Sequence, residues 1–210
     1  MTKFLVIFDV DSTLIEDEVI ELLAEAAGKR AEVADVTERA MRGDLDFAES
    51  LRERVSTLAG LPASVIDETY SRINITRGAQ ALIEHIHTKG GKVAAVSGGF
   101  SQLLAPLAAK LDLDFWKAND LEIVDGLLTG KVSGAIVDRE AKADALQTWA
   151  TELGLGLDKT IAVGDGANDL GMMNIAGLSV AFNAKPKVRD AAQLVISSKN
   201  LEELIAALPK

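Results

Sequence analysis

The chain has 210 residues, 48% of them apolar and 4% aromatic, enough to fill one large core or a core with a smaller unit attached. A formal charge of −10 offers no basic stripe to nucleic acid or to an anionic membrane, although a metal ion and a few placed cations can reverse the local field for an anionic substrate. The absence of cysteine excludes disulfides and thiolate catalysis and fits the cytosol, and no stretch approaches the ~20 apolar residues of a membrane span.

Phe4-Leu5-Val6-Ile7-Phe8 is a continuous apolar run of the kind that forms a strand buried on both faces. Asp9 cuts the run after five residues, too early for a signal peptide. Val19, Leu22, Leu23 and Ala26 then recur at helical spacing until Gly28 stops the pattern. Helical patterns continue over 31–42, 47–58 and, after Pro62, 63–73. Such a block, lacking any strand-like run, predicts a separate helical cap domain over residues 16–75, with residues 1–15 and 76–210 forming the core.

Strand and helix alternate from there. Ala79, Leu82, Ile83 and Ile86 mark a helix closed by Gly90-Gly91, followed by a strand over 92–96 and a helix over 102–111. Short β-prone runs around Asp125-Gly126 and Gly130 predict one or two hairpins within 120–137. A helix over 139–153, a strand over 160–163, a short helix from Asp169, strands over 178–182 and near 194–196, and a terminal helix complete the pattern. The expected class is α/β: a doubly wound, Rossmann-like parallel sheet with an inserted small α-helical cap and a short β-hairpin insertion.

Four carboxylates fall at the ends of predicted strands, Asp9 and Asp11 behind the first and Asp165 and Asp169 within Gly164-Asp165-Gly166-Ala167-Asn168-Asp169. On parallel strands these ends converge on one edge of the sheet, where α/β folds place their ligands. Acids gathered there repel one another unless a cation sits among them. Hard oxygen donors, in a chain with two histidines and no cysteine, favour Mg2+ over zinc.

Two carboxylates separated by one residue can divide the work of phosphate chemistry. Asp9 is assigned attack on phosphorus to give an aspartyl phosphate; Asp11 is assigned protonation of the leaving alkoxide and later activation of water. Asp165 is placed to share a metal with Asp9, Asp169 can hold metal-bound water, and Asn168 can donate to a phosphoryl oxygen. Ser97-Gly98-Gly99 reads as an anion cradle of one hydroxyl and backbone N–H groups. Lys142 can neutralise phosphoryl charge as a mobile point cation. Taken singly, each segment is also an ordinary turn, cap or surface residue.

In this order the four segments resemble the haloacid dehalogenase superfamily of phosphotransferases, whose pattern is Asp-x-Asp-x-Thr, a Ser after the next strand, a Lys, and Gly-Asp-x-x-x-Asp. The resemblance spans nearly the whole chain. It implies metal ligation by Asp9, the Asp11 backbone carbonyl and Asp165, with Asp169 in support, and phosphoryl binding by Ser97 and Lys142.

The chain is more closely similar to the phosphoserine phosphatase family through Glu18, the stretch from Met41 to Val55, and Gly164 to Leu170. That resemblance implies that Glu18 faces the substrate ammonium, Arg54 faces its carboxylate, and Met41 and Phe47 line the pocket. A planar bidentate cation and an anion are what phosphoserine would need, and Phe47 and Arg54 fall on one face of a continuous helix. Met41 and Phe47 fit core packing equally well.

The implied activity is Mg2+-dependent hydrolysis of O-phospho-L-serine to L-serine and phosphate, the last step of serine biosynthesis, in the cytoplasm. The expected partner is that small molecule, with neither nucleic acid nor membrane; oligomeric state is not legible. Two rival readings use the same acids. One is transfer from phosphoserine to another hydroxyl such as homoserine. The other is a non-catalytic Mg2+-dependent phosphoreceiver, against which the paired Asp11 and the large insert speak. Gly171 stands where many relatives have Pro. The sequence starts at the catalytic strand, so feedback through an upstream amino-acid-binding module is not expected. His85 and His87 are expected to be structural.

Overall fold

A computed structural model describes residues 2–209. Strand β1 (Leu5–Phe8) is the central strand and is buried along its whole length. Helices α1 (Val19–Ala26), α2 (Arg30–Arg42), α3 (Phe47–Ser56) and α4 (Val65–Tyr70) follow, and α5 (Ala79–Thr88) leads into β2 (Lys92–Phe100). Next come α6 (Ser101–Leu111), β3 (Phe115–Val124), β4 (Leu127–Ser133), α7 (Arg139–Glu152), β5 (Thr160–Gly164) and α8 (Leu170–Ile175). Strand β6 (Leu178–Phe182), α9 (Pro186–Ala191), β7 (Leu194–Ile196) and a tighter 3₁₀ segment, Leu201–Ala207, complete the chain.

The seven strands form one sheet in the order β4-β3-β2-β1-β5-β6-β7, parallel except for the β3/β4 pair. Alternation along β1 explains its double burial. Phe4, Val6 and Phe8 join the core under α5, α6 and the 3₁₀ segment, whereas Leu5 and Ile7 join the core under α7 and α8. The chain leaves β1 toward β2 on one side and leaves β5 toward β6 on the other. The crevice beyond the carboxyl ends of β1 and β5 is therefore the switch point of the sheet. Phe8 pairs with Val163 there, which brings Asp9 and Asp165 side by side.

Residues between Ile15 and Ile75 form the helical block. Its two connections are clasped by an antiparallel bridge between Ile15 and Ile75 and by the Thr76 N–H donating to the Leu14 carbonyl at 2.9 Å. Leu23, Leu51, Val55 and Leu58 are fully buried and continue the β1 core into the cap. Among the described residues no helix is long and apolar enough to cross a membrane.

Several boundaries differ from the sequence reading. Strand β2 does not stop at Val96 but carries Ser97-Gly98-Gly99 as extended backbone to Phe100, with a register shift against β3 in that stretch. Strand β3 starts at Phe115, because Phe115–Lys117 pairs with Ala94–Val96 even though its side chains are largely exposed and show no clean alternation. One hairpin forms. Its turn is Asp125-Gly126, both at positive φ (51° and 78°), the geometry that a two-residue hairpin of right-twisted strands requires. Helix α9 has no counterpart in the sequence reading, and its start at Lys185-Pro186 fits proline at the first helical position.

Gly91 shows how tightly the α5–β2 corner is packed: a Cβ there would lie 2.6 Å from the Phe4 ring and 2.7 Å from Ile86. Gly91→Ala should cost about 1–3 kcal/mol by overpacking. Thermal melting should show this as a lowered Tm with unchanged activity per folded molecule.

Candidate active site

The acidic end of β1 is built by a short turn. The Asp9 N–H donates to the Val163 carbonyl of β5 at 2.9 Å, so Asp9 stays at the sheet edge. Ser12 then adopts φ 57°, a left-handed conformation that non-glycine residues seldom take without a local reason. Here the reason is visible. The Ser12 N–H donates to the Asp17 carbonyl at 3.2 Å, and its hydroxyl donates to Glu18 Oε1 at 2.6 Å. Asp11 is thereby aimed back over the sheet edge, with Oδ2 accepting a long bond from the Val19 N–H at 3.4 Å. Thr13 donates to Asp165 Oδ1, also at 3.4 Å.

The second acidic segment is organised around Asp169. Its Oδ2 accepts from the Asp165 and Gly166 N–H groups at 3.0 and 2.9 Å, and its Oδ1 accepts from Lys142 Nζ at 2.7 Å. A Cβ on residue 164 would fall 2.5 Å from the Asp169 carboxyl carbon, so glycine is required for this fold-back. Lys142, on the first turn of α7, is fully buried and also donates to Asp9 Oδ1 at 2.6 Å. With both its oxygens bonded, Asp169 frames the loop and holds Lys142; any share it takes in a cation would be through an oxygen already in use.

Burial sets the charge states. It raises Asp11 and Asp165 well above the usual carboxylate range, with Glu18 the next cause for Asp11 and Asp169 for Asp165. Burial lifts Asp9 to about 6, reinforced by Asp169 and opposed by Lys142. Burial also works against the Lys142 ammonium, but Asp169 and Asp9 overcome it and hold the group above its ordinary value. Asp9, Asp165 and Asp169 each offer one oxygen within 4.8 Å of the others. A buried, mutually repelling set of hard oxygens, incompletely neutralised by one lysine, fits a divalent cation of the oxygen-loving kind.

The facing wall comes from the cap. The Phe47 ring lies where a Gly98 Cβ would be, 2.5 Å away, and Met41 Sδ sits 2.8 Å from the equivalent point on Gly166. Arg54 is buried, its Nε donating to the Ser50 carbonyl at 3.0 Å and its Nη1 to Thr37 Oγ1 at 3.2 Å. Its guanidinium stands 5.9 Å from the centre of the Phe47 ring, a cation–π distance that confirms the shared helical face. Burial pulls Arg54 below its usual value, against Glu18 and Asp11, whereas burial pushes Glu18 up to about 7.

Between these walls lies a narrow cavity where the centre of a water-sized sphere can range over about 20 Å3. It gathers Asp9, Asp11, Ser97, Gly98 and Asn168 from the core and Glu18, Met41, Phe47 and Arg54 from the cap. Lys142, Asp165 and Asp169 stand behind Asp9. Among the described residues, four buried side-chain polar atoms lack a partner, and three of them belong to this lining: Asp11 Oδ1, Arg54 Nη2 and Asn168 Oδ1. Buried polar atoms are rarely left so, and their concentration here marks a ligand site.

Sequence reasoning missed several contributors. Ile20 and Leu51 also line the cavity, while Ser12 and Thr37 hold Glu18 and Arg54. Thr37 had a signal, a polar residue one helical turn before Met41 on the buried side of α2. Ile20 and Leu51 had none that separates them from core. His87 bonds Asp114 at 2.9 Å beside α5, a structural contact.

The haloacid dehalogenase-like hydrolase family matches residues 6–174 of the chain. Phosphoserine phosphatase SerB2 of Mycobacterium tuberculosis is 52% identical over 207 residues, covering 99% of this chain and 51% of that protein. Phosphoserine phosphatase of Streptococcus thermophilus is 51% identical over 98% of this chain and 96% of that one. The chain thus spans about half the length of the first relative and nearly all of the second. A substrate-bound phosphoserine phosphatase structure superposes with a TM-score of 0.97 at 41% identity, each chain covered in full. A phospho-aspartyl intermediate analogue of a phosphoserine phosphatase gives the same values.

The raised carboxyls set a pH dependence. Asp9 shifts from 3.8 to about 6 and Glu18 from 4.5 to about 7, so the folded chain holds protons the unfolded chain has lost. Their contribution is full below the unfolded values and is lost as pH rises through about 6 and 7. The metal-free protein should therefore lose Tm across that window. A divalent cation bound at the acidic cluster should restore more at about pH 8 than at about pH 5, with about 2.7 kcal/mol at a hundredfold excess over Kd. Calorimetry with and without chelator checks this.

Proposed function

This chain belongs to the haloacid dehalogenase-like hydrolase family, and we propose that it is a cytosolic, Mg2+-dependent phosphoserine phosphatase serving the last step of serine biosynthesis. The observation that carries the reading is the closed cavity in which an unsatisfied guanidinium nitrogen and a carboxylate from the cap face the paired aspartates of the core. A ligand with a phosphoryl group at one end, and an ammonium and a carboxylate on one carbon at the other, supplies the missing partners. The relatives of similar length that bear the phosphoserine phosphatase name support the same substrate.

In this mechanism Asp9 attacks phosphorus through a carboxylate oxygen. The bond from phosphorus to the serine oxygen breaks, and Asp11, kept protonated by burial and by Glu18, delivers its proton to that oxygen. A water molecule then attacks the aspartyl phosphate while Asp11 takes its proton, and inorganic phosphate leaves with Asp9 regenerated. The Ser97 hydroxyl, the Gly98 N–H, the Asn168 amide and the Lys142 ammonium face charge on the transferring group, where positioning and electrostatics supply most of the rate. Magnesium, held by Asp9, Asp165 and the Asp11 backbone carbonyl, would add a divalent charge beside the phosphoryl oxygens and favour ionised Asp9. Glu18 accepts from the substrate ammonium, and Arg54 binds its carboxylate.

The reacting groups and Arg54 are buried beneath the cap, so the cap must open to admit a phosphate ester and close over it to exclude bulk water.

Asp9→Asn should abolish turnover while the protein keeps its fold, read by phosphate release and by circular dichroism. Arg54→Ala removes a charged hydrogen bond worth about 1.5–3 kcal/mol and should lower kcat/KM for phosphoserine about ten- to hundredfold. Phosphoethanolamine lacks the carboxylate. It should be a poor substrate of the parent, and the gap between the two substrates should nearly vanish in Arg54→Ala. Equal kcat/KM values for the two in the parent would exclude the assigned carboxylate contact.

A further inference from the structure

The cap is held to the core along three edges of different character. At the first, the clasp between Ile15 and Ile75 fixes the chain connections. At the second, the hairpin reaches up to the α3–α4 loop. The Gly60 N–H donates to Leu128 at 2.9 Å, the Leu128 N–H to Leu61 at 2.8 Å and the Ala63 N–H to Gly126 at 2.8 Å, around a bridge between Pro62 and Leu127. Backbone hydrogen bonds of this number make both edges stiff. The third edge is α2 and the loop leading to Phe47, which carries Met41 and Phe47 onto Gly166 and Gly98. It has no backbone bond to the core among the described residues. Opening therefore falls to this edge.

One ion pair joins that edge to the core. Lys185 Nζ contacts Glu38 Oε2 of α2 at 2.5 Å, and among the described residues no other ion pair links cap and core. The side chains are 30% and 42% exposed, so water can replace each partner when the pair separates. Lys185 also faces a cavity of about 280 Å3, into which a released ammonium can turn. The other end of the residue is fixed: its backbone N–H donates to the carbonyl of Asp165 at 2.9 Å. The same residue thus grips the movable lip of the cap through its side chain and the metal-binding loop through its backbone.

We propose that Lys185 is a positioning residue for the phosphatase reaction, closing the α2 edge of the cap through Glu38 and so seating Met41 and Phe47 over the bound substrate. The proposal rests on reading the cap as the lid of that site. Lys185 does not touch the reacting atoms. It acts through the cap, and an exposed ion pair is weak enough to be broken at every turnover.

The test uses the full chain with Mg2+. Lys185→Met and Glu38→Gln should each raise KM for phosphoserine about two- to fivefold, the factor an exposed ion pair supplies, with kcat equal to or above that of the parent. Lys185→Arg should behave as the parent. The reversed pair, Lys185→Glu with Glu38→Lys, should recover part of the loss, since a lysine at 38 regains its partner across the edge but gives up the Arg42 contact that Glu38 makes at 3.0 Å. Salt should raise KM of the parent by a larger factor than KM of Lys185→Met, because both share the screening of the charged substrate and only the parent has the pair to lose.

A second readout needs no turnover. The chain lacks cysteine, so label pairs at Asp44→Cys and Asp190→Cys are the only thiols, and both positions are exposed. Their separation should lengthen in Lys185→Met and return in the reversed pair. Single variants with the KM and label distance of the parent, or a reversed pair no better than either single, would overturn the proposal. A parent that released no phosphate from phosphoserine would remove the substrate assignment and leave the label distances to decide on Lys185.

Discussion

A single ammonium, buried without exposure, ties the catalytic edge together. Lys142 comes from α7 and bonds Asp9 at the tip of β1 and Asp169 behind β5, the two strands that flank the switch point. Taking a lysine out of water is costly, and it is tolerated because two carboxylates close on it at normal charged hydrogen-bond lengths. Losing one partner of such a group costs about 3–5 kcal/mol, since the others are left charged and dry. The network is also asymmetric. Asp169 spends both oxygens on structure, whereas Asp9 keeps one oxygen free of Lys142, a difference that suits Asp169 to framing the loop and Asp9 to the proposed attack.

Charge is managed differently on the two sides of the cavity. The core gathers more negative charge than Lys142 can offset, which suits a metal and a phosphoryl group arriving together. The cap supplies one acid and one guanidinium, each held by a neutral partner, Ser12 and Thr37 respectively. Hydroxyls fix these ions without neutralising them. Each remains available to a ligand of opposite charge, and Arg54 Nη2 is one of the unsatisfied atoms where core meets cap.

Much of this was legible in the chain. The doubly wound class followed from the apolar run before Asp9 and the later alternation of strand and helix, because a strand buried on both faces leaves an unmistakable pattern. The acidic clusters declared themselves by sitting at strand ends with glycine neighbours. What stayed hidden depends on long-range pairing. Phe115–Lys117 carries no element in the sequence reading and becomes a strand because β2 offers it a partner. Ser97-Gly98-Gly99 reads as a turn and is extended by the same sheet. The left-handed Ser12 cannot be told from spacing, and Ile20 and Leu51 differ from core residues only in facing a cavity that exists once the cap is in place.

The bare backbone at Gly98 and Gly166 has a mechanical meaning. With Phe47 and Met41 resting directly on these two positions, a cap that closes as proposed has a fixed stopping height, set by contact between ring or sulfur and main chain. A guest that is slightly too thick holds the lip off its seats and leaves the reaction chamber leaking. Discrimination by size is then exercised when the chamber seals, after the guest has already been captured, and it resembles a gauge more than a grip.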